Sequence, residues 1–172
     1  DMVYVTQDST DYVYLLKGYK TEFYRYNVGA QAWETLEDAP VGIKYKYDKG
    51  SWLAYDKSAG ASVIYAHKAK YHEFYTYDLD SMAWNQNNLG GMPFVGMMGR
   101  KKKSKDGGSA DFFDGEIYAI KGGNTQELWK YNDSAWVELE TIPAYGSTGR
   151  KKRIKYGADL VHWAAGIFFT AK

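Results

Sequence analysis

Cysteine is absent from the 172 residues, which excludes a disulfide framework, a thiolate metal site and a cysteine nucleophile. Proline is scarce, at 3 residues against 18 glycines, and no collagen-like period accompanies the glycine. No apolar run approaches the roughly 20 residues of a membrane-spanning helix. Histidine is limited to His67, His72 and His162, with no further ligand at a spacing that would complete a metal site. Net charge is almost absent too. The 22 Lys and Arg against 21 Asp and Glu leave +1, which says nothing about partners until the charge is placed. The chain opens on Asp1 rather than Met and shows no signal peptide, so it reads as a mature product or a fragment.

Aromatic residues are abundant. They make up 17%, with 17 Tyr and 6 Trp, inside a hydrophobic share of 45% that can build a core and excludes disorder. They recur with a period. Val13-Tyr14-Leu15-Leu16-Lys17-Gly18, Ile64-Tyr65-Ala66-His67-Lys68-Ala69 and Ile117-Tyr118-Ala119-Ile120-Lys121-Gly122 align, and Phe168-Phe169-Thr170-Ala171-Lys172 begins a fourth copy. The lysines Lys17, Lys68, Lys121 and Lys172 stand 51, 53 and 51 residues apart. A second block follows in each complete copy: Glu22-Phe23-Tyr24-Arg25-Tyr26, Glu73-Phe74-Tyr75-Thr76-Tyr77 and Glu127-Leu128-Trp129-Lys130-Tyr131. Trp33, Trp84 and Trp136 mark a third, each followed by Pro40, Pro93 or Pro143. Several landmarks share one period, so the chain is a repeat protein.

The repeated blocks are short, rich in aromatic and β-branched residues, and bounded by Gly, Asn, Asp and Ser, which predicts strands. Unit three should hold four, near 109–113, 116–121, 127–131 and 136–140, with Asp114-Gly115 as a tight hairpin between the first two. Aromatics occupy both sides of the pleat, as in Phe23-Tyr24-Arg25-Tyr26, so both sheet faces should be buried. Four-stranded units at a period near 50 predict an all-β fold, a β-propeller of antiparallel blades. The units are approximately 1–43, 44–99, 100–149 and 150–172, the last incomplete, giving about three and a half blades. Trp33, Trp84 and Trp136 should occupy equivalent, mostly buried places.

In these features the chain resembles the kelch-type propeller repeat, which has a glycine pair after the second strand, then a Tyr, then a Trp about seven positions on. Gly122-Gly123 matches the pair, and Tyr26 to Trp33 and Tyr77 to Trp84 match the spacing. Unit two departs with Lys68-Ala69, and Tyr131 to Trp136 is two residues short. The resemblance implies the propeller fold; such folds host binding modules and a few enzymes alike. An arc of this size exposes two aromatic blade faces. The expectation is a homo-oligomer or a chain that continues beyond Lys172 to close the propeller, and stopping inside a repeat favours the second.

Charge clusters between the units. Lys44, Lys46 and Lys49 precede unit two, Arg100, Lys101, Lys102, Lys103 and Lys105 precede unit three, and Arg150, Lys151, Lys152, Arg153 and Lys155 precede unit four. In a propeller these links share one face with the hairpins joining second to third strands. The other hairpins, near 8–11, 78–80 and 132–134, should lie on the opposite face and are neutral or acidic. One reading is an anion-binding face for an acidic polysaccharide or an acidic protein. The other, which weighs more, is structural: Lys17, Lys68 and Lys121 recur beside Glu22, Glu73 and Glu127 and would tie blades together, while the rest are solvated. Nucleic acid is disfavoured as a partner, because the aromatics are expected in strands rather than among the links. Asn124 and Thr125 form a polar loop that turns the chain and offers hydrogen bonds to a ligand.

Catalytic signals are few. The kelch-type copper oxidases use a Tyr–Cys cofactor that a cysteine-free chain lacks, and the sialidase turn Ser-x-Asp-x-Gly-x-Thr-Trp is missing. Asp78 and Asp80 do not complete a calcium loop. Asn132-Asp133-Ser134 is a formal glycosylation sequon in a tight hairpin. No cofactor or metal is expected. The expected role is a non-catalytic binding module of an extracellular or cell-surface protein, with a carbohydrate or protein ligand. The alternatives are a structural subunit of an extracellular assembly, or part of a propeller hydrolase or lyase whose active site lies in other blades.

Overall fold

The computed structural model describes residues 1–58, 60, 62–163 and 167–171, and among them there are strands and turns but no α-helix. The first sheet is built from β1 (Met2–Gln7), β2 (Thr10–Leu16), β3 (Phe23–Asn27) and β4 (Ala32–Thr35). The second holds β5 (Trp52–Tyr55), β6 (Val63–Lys68), β7 (Glu73–Asp78) and β8 (Ala83–Asn85). The third holds β9 (Ser109–Phe113), β10 (Glu116–Ile120), β11 (Leu128–Tyr131) and β12 (Trp136–Glu138). β13 (Asp159–Trp163) and β14 (Ile167–Ala171) form a separate antiparallel hairpin. Each four-stranded sheet is an antiparallel meander in sequence order.

Local chemistry sets the turns. Asp114 and Gly115 both have positive φ, +50° and +78°, the geometry that joins β9 to β10 with matched twist. The turns after β3, β7 and β11 repeat one device. A side-chain oxygen of Asn27, Asp78 or Asn132 accepts the backbone N–H of Ala30, Ser81 or Ala135, at 2.9, 2.6 and 3.0 Å. Asp78 and Asn132 are therefore turn formers. Beyond these turns Tyr26 pairs with Trp33, Tyr77 with Trp84 and Tyr131 with Trp136 in the same cross-strand register. The two residues missing between Tyr131 and Trp136 come out of the turn, not the pairing.

The sheets follow one another with their first strands adjacent: β1 beside β5, β5 beside β9, and β9 beside β13. Val5, Tyr14, Leu16 and Phe23 of the first sheet pack on Leu53, Ile64, Tyr75, Tyr77 and Trp84 of the second. The other face of the second, with Trp52, Tyr65 and Phe74, packs on Phe112, Ile117, Trp129 and Tyr131 of the third. Ile120 of the third meets Ile154 and Leu160. Side-chain bonds cross the same joints. Trp84 Nε1 donates to the Glu37 carbonyl and Trp136 Nε1 to that of Gly90, each at 3.0 Å. The three tryptophans are equivalent, but their burial is not uniform. Trp84 is buried, whereas Trp33 is 54% exposed, because it lies on the face of the first sheet that no other sheet covers among the described residues.

Candidate anion-binding groove

The three links cover residues 36–51, 86–108 and 139–158, and each is hung from the hairpin between the second and third strands of the preceding sheet. The Tyr19 N–H donates to the Tyr47 carbonyl at 2.8 Å, Lys70 to Ser104 at 3.1 Å, and Asn124 to Ile154 at 2.8 Å. All three donors have positive φ. The links and these hairpins therefore share one face of the molecule.

The second and third links each fold into a small finger. Gly99 N–H closes a turn on the Gly96 carbonyl at 2.8 Å, and Gly149 on Gly146 at 2.9 Å. Val95 bridges to Lys101, and Tyr145 to Lys151. Along the segment returning from the second finger, neighbouring side chains take opposite sides. Lys101 and Lys103 reach back over the Phe94 ring, 6.0 and 5.6 Å from its centroid. Arg100 and Lys102 turn the other way, into a groove of about 240 Å³. Lys151 and Arg153 of the third link form its far bank, and Asn124 to Glu127 its floor, with Met98, Thr141 and Ala144 completing the wall. Further depressions of about 680 and 300 Å³ continue from Asn124 past Lys152, Lys155 and Tyr156 to Lys105.

Electrostatics separate structural from available cations. Lys68 and Lys121 are fully buried. Lys121 pairs with Glu127 at 2.6 Å, and Lys68 with Glu73 at 3.5 Å while donating to the carbonyls of Val41 and Lys44. Burial lowers the Lys68 ammonium from its ordinary value, and Glu73 acts against that shift. These pairs sit within one sheet and hold the preceding link, which corrects the expectation that they bridge two blades. Among the described residues, Arg100, Lys101, Lys102, Lys103, Lys105, Arg150, Lys151, Lys152, Arg153 and Lys155 form no ion pair. All ten are exposed.

The expected basic face is thus divided. Lys44 and Lys46 lie on the first link, outside the groove, and Lys46 pairs with Asp48 at 3.5 Å. Thr125 is buried, and its hydroxyl donates to the Gly122 carbonyl at 2.8 Å, so it shapes the loop and leaves the exposed Asn124 as its polar contact. The expectation that aromatics stay out of the links also needs correction. Tyr45, Tyr145 and Tyr156 are exposed there, with Lys151 and Lys155 over the last two rings. His67 is a core residue whose Nε2 accepts the Met92 N–H at 3.2 Å, and His72 packs on Phe94. Among the described residues no cluster of three metal-ligating side chains occurs.

No protein-family model matches the chain, and no curated protein does. Solved structures do match it. A structure of YjhT aligns with a TM-score of 0.59 and 11% identity, covering 92% of this chain and 55% of that one. An auxiliary nutrient binding protein from Bacteroides thetaiotaomicron VPI-5482 aligns with a TM-score of 0.54 and 13% identity, covering 92% of this chain and 42% of that one. At these identities the likeness is one of fold. The chain spans about half the length of the solved structures it matches.

Proposed function

We propose that the chain is an arc of a kelch-like β-propeller that acts outside the cytoplasm as a non-catalytic binding module, holding an acidic polysaccharide or an acidic protein segment in the groove between its second and third links. One observation carries this reading: Arg100 and Lys102 converge with Lys151 and Arg153 around Asn124, and no carboxylate pairs with them among the described residues. Lysines that hold this fold together, Lys68 and Lys121, are buried and paired. Like charges gathered from two links, with the floor's Glu127 already held by Lys121, repel in the free protein and are relieved by a bound anion. The series of sheets with adjacent first strands supports the propeller, and a fold shared with an auxiliary nutrient binding protein agrees with a binding role.

Titration with a polyuronate or a sulfated glycan tests it. Affinity should fall steadily as salt rises, as counterions released by a linear polyanion require. Changing Arg100, Lys102, Lys151 and Arg153 together to Gln should weaken binding about tenfold or more, with the melt unchanged. Changing Lys101 and Lys103, which face Phe94, should do much less. Absence of binding with a lowered melt would return these cations to a structural role. A second reading, as a subunit of an extracellular assembly, rests on the uncovered first-sheet face with exposed Met2, Tyr4 and Trp33. Concentration-dependent self-association abolished by Trp33→Ser would favour it.

A further inference from the structure

The links carry a second feature that the groove does not use. Ile43 and Met97 are 69% and 66% exposed, one on the first link and one on the second. Each follows a glycine pressed onto a carboxylate. A Cβ on Gly42 would come within 2.0 Å of Glu73 Oε1, and one on Gly96 within 2.5 Å of Glu138 Oε2. The Ile43 N–H donates to Glu73 Oε1 at 2.7 Å, and the Met97 N–H to Glu138 Oε2. Backbone bonded downward in this way leaves the next side chain directed into solvent. The fold therefore holds two apolar side chains outward on the same face as the link cations. Lys44 neighbours Ile43, and Lys101 and Lys103 return from the finger that carries Met97. Tyr45, Tyr145 and Tyr156, exposed on the links, add amphipathic rings.

We propose that this face docks on an anionic lipid bilayer, with Ile43 and Met97 entering the headgroup boundary and Lys44, Lys101 and Lys103 reaching the anionic headgroups. A soluble polyanion would use the cations and gain nothing from apolar tips. A surface charged outside and apolar just beneath uses both, and polar residues alternating with exposed apolar ones match that layering. The inference does not depend on the groove, since neither Ile43 nor Met97 lines it.

Sedimentation with vesicles tests it, using phosphatidylcholine mixed with phosphatidylglycerol against phosphatidylcholine alone, with polyuronate titrated in parallel. The chain should partition onto the mixed vesicles and not the neutral ones. Ile43→Ser with Met97→Ser should lower partitioning about tenfold and leave polyuronate binding unchanged. Met97→Trp should raise partitioning, which keeps the test open should the double variant fold poorly. Neutralising Lys44, Lys101 and Lys103 should cost roughly fivefold per charge. Equal partitioning by the double Ser variant, no preference for anionic vesicles, or an equal loss of polyuronate binding would each overturn the proposal. Failure of the groove reading would appear separately, as polyuronate binding that never occurs.

Discussion

The repeated lysine shows how one residue type takes different roles in equivalent places. Lys121 is buried against Glu127, whose carboxylate also accepts the Trp129 Nε1–H at 3.1 Å. Lys17 makes the same pair with Glu22 but remains half-exposed. Removing a buried partner strands the other charge, so Lys121→Ala should cost about 3–5 kcal/mol. Lys121→Met with Glu127→Gln keeps the indole acceptor without a buried charge and should recover most of that loss. Lys17→Ala should leave the chemical-denaturation midpoint in place. A Lys121→Ala variant as stable as the parent would mean that water reaches the pair. The Lys–Glu recurrence was legible in the sequence, but its burial was not. Burial depends on whether a preceding link lies over the pair, and that is a tertiary fact.

At the scale of the element, the strands were readable because their period, turn residues and aromatic content agree. β9 and β10 fall within a residue of their expected ends. The groove was less legible. The basic runs announced charge, but alternation along the second link sends Lys101 and Lys103 to Phe94 and Arg100 and Lys102 to Asn124, and only the bridge from Val95 to Lys101 fixes that phase. Thr125 reads as a ligand contact until its hydroxyl is seen to close its own turn. The seating of the links gives a sharp prediction. Gly107 has φ of +80°, and a Cβ there would lie 2.1 Å from the Lys155 carbonyl oxygen, whereas Gly99 has φ of +66° with open space around it. Gly99→Ala should cost about 1 kcal/mol, the left-handed penalty alone. Gly107→Ala should cost clearly more, about 2 kcal/mol or above, since backbone on both links must also shift. Equal melting temperatures for the two variants would show that the links are not packed on each other.

At the scale of the whole molecule, stability is a series of sheet-to-sheet joints, as in other repeat arrays. His67 sits in the joint between the second and third sheets. It stacks on Trp52 at 5.0 Å and meets the Trp136 ring at 6.1 Å. Accepting the Met92 N–H at Nε2 places its own hydrogen on Nδ1, which has no partner among the described residues. Burial pushes its pKa down from the ordinary 6.5 to about 3, helped by the neighbouring His72 and Lys121 charges. The folded value is depressed, so between about 3 and 6.5 the unfolded chain binds a proton that the folded chain refuses. The His67 contribution is complete above pH 6.5 and should be lost at about 1.4 kcal/mol for each unit below it, summing to a few kcal/mol. The Asp1 ammonium, lowered from its ordinary 8.0 by burial, loses stability in the same direction from pH 8 downward, alike in the parent and in a His67 variant. Glu22, Asp78 and Glu116, held below their usual range by hydrogen bonds from Lys17, Ser81 and Lys130, begin to add their losses only below about pH 5. From pH 6.5 to 5 the difference between the parent and a His67 variant therefore belongs to His67. Urea unfolding across that window should show a steady decline in the parent and a clearly shallower one in His67→Gln, which keeps an acceptor for Met92 without a titrating ring. Parallel slopes in the two proteins would mean that the joint opens to admit the proton, and that the second and third sheets separate before the molecule unfolds.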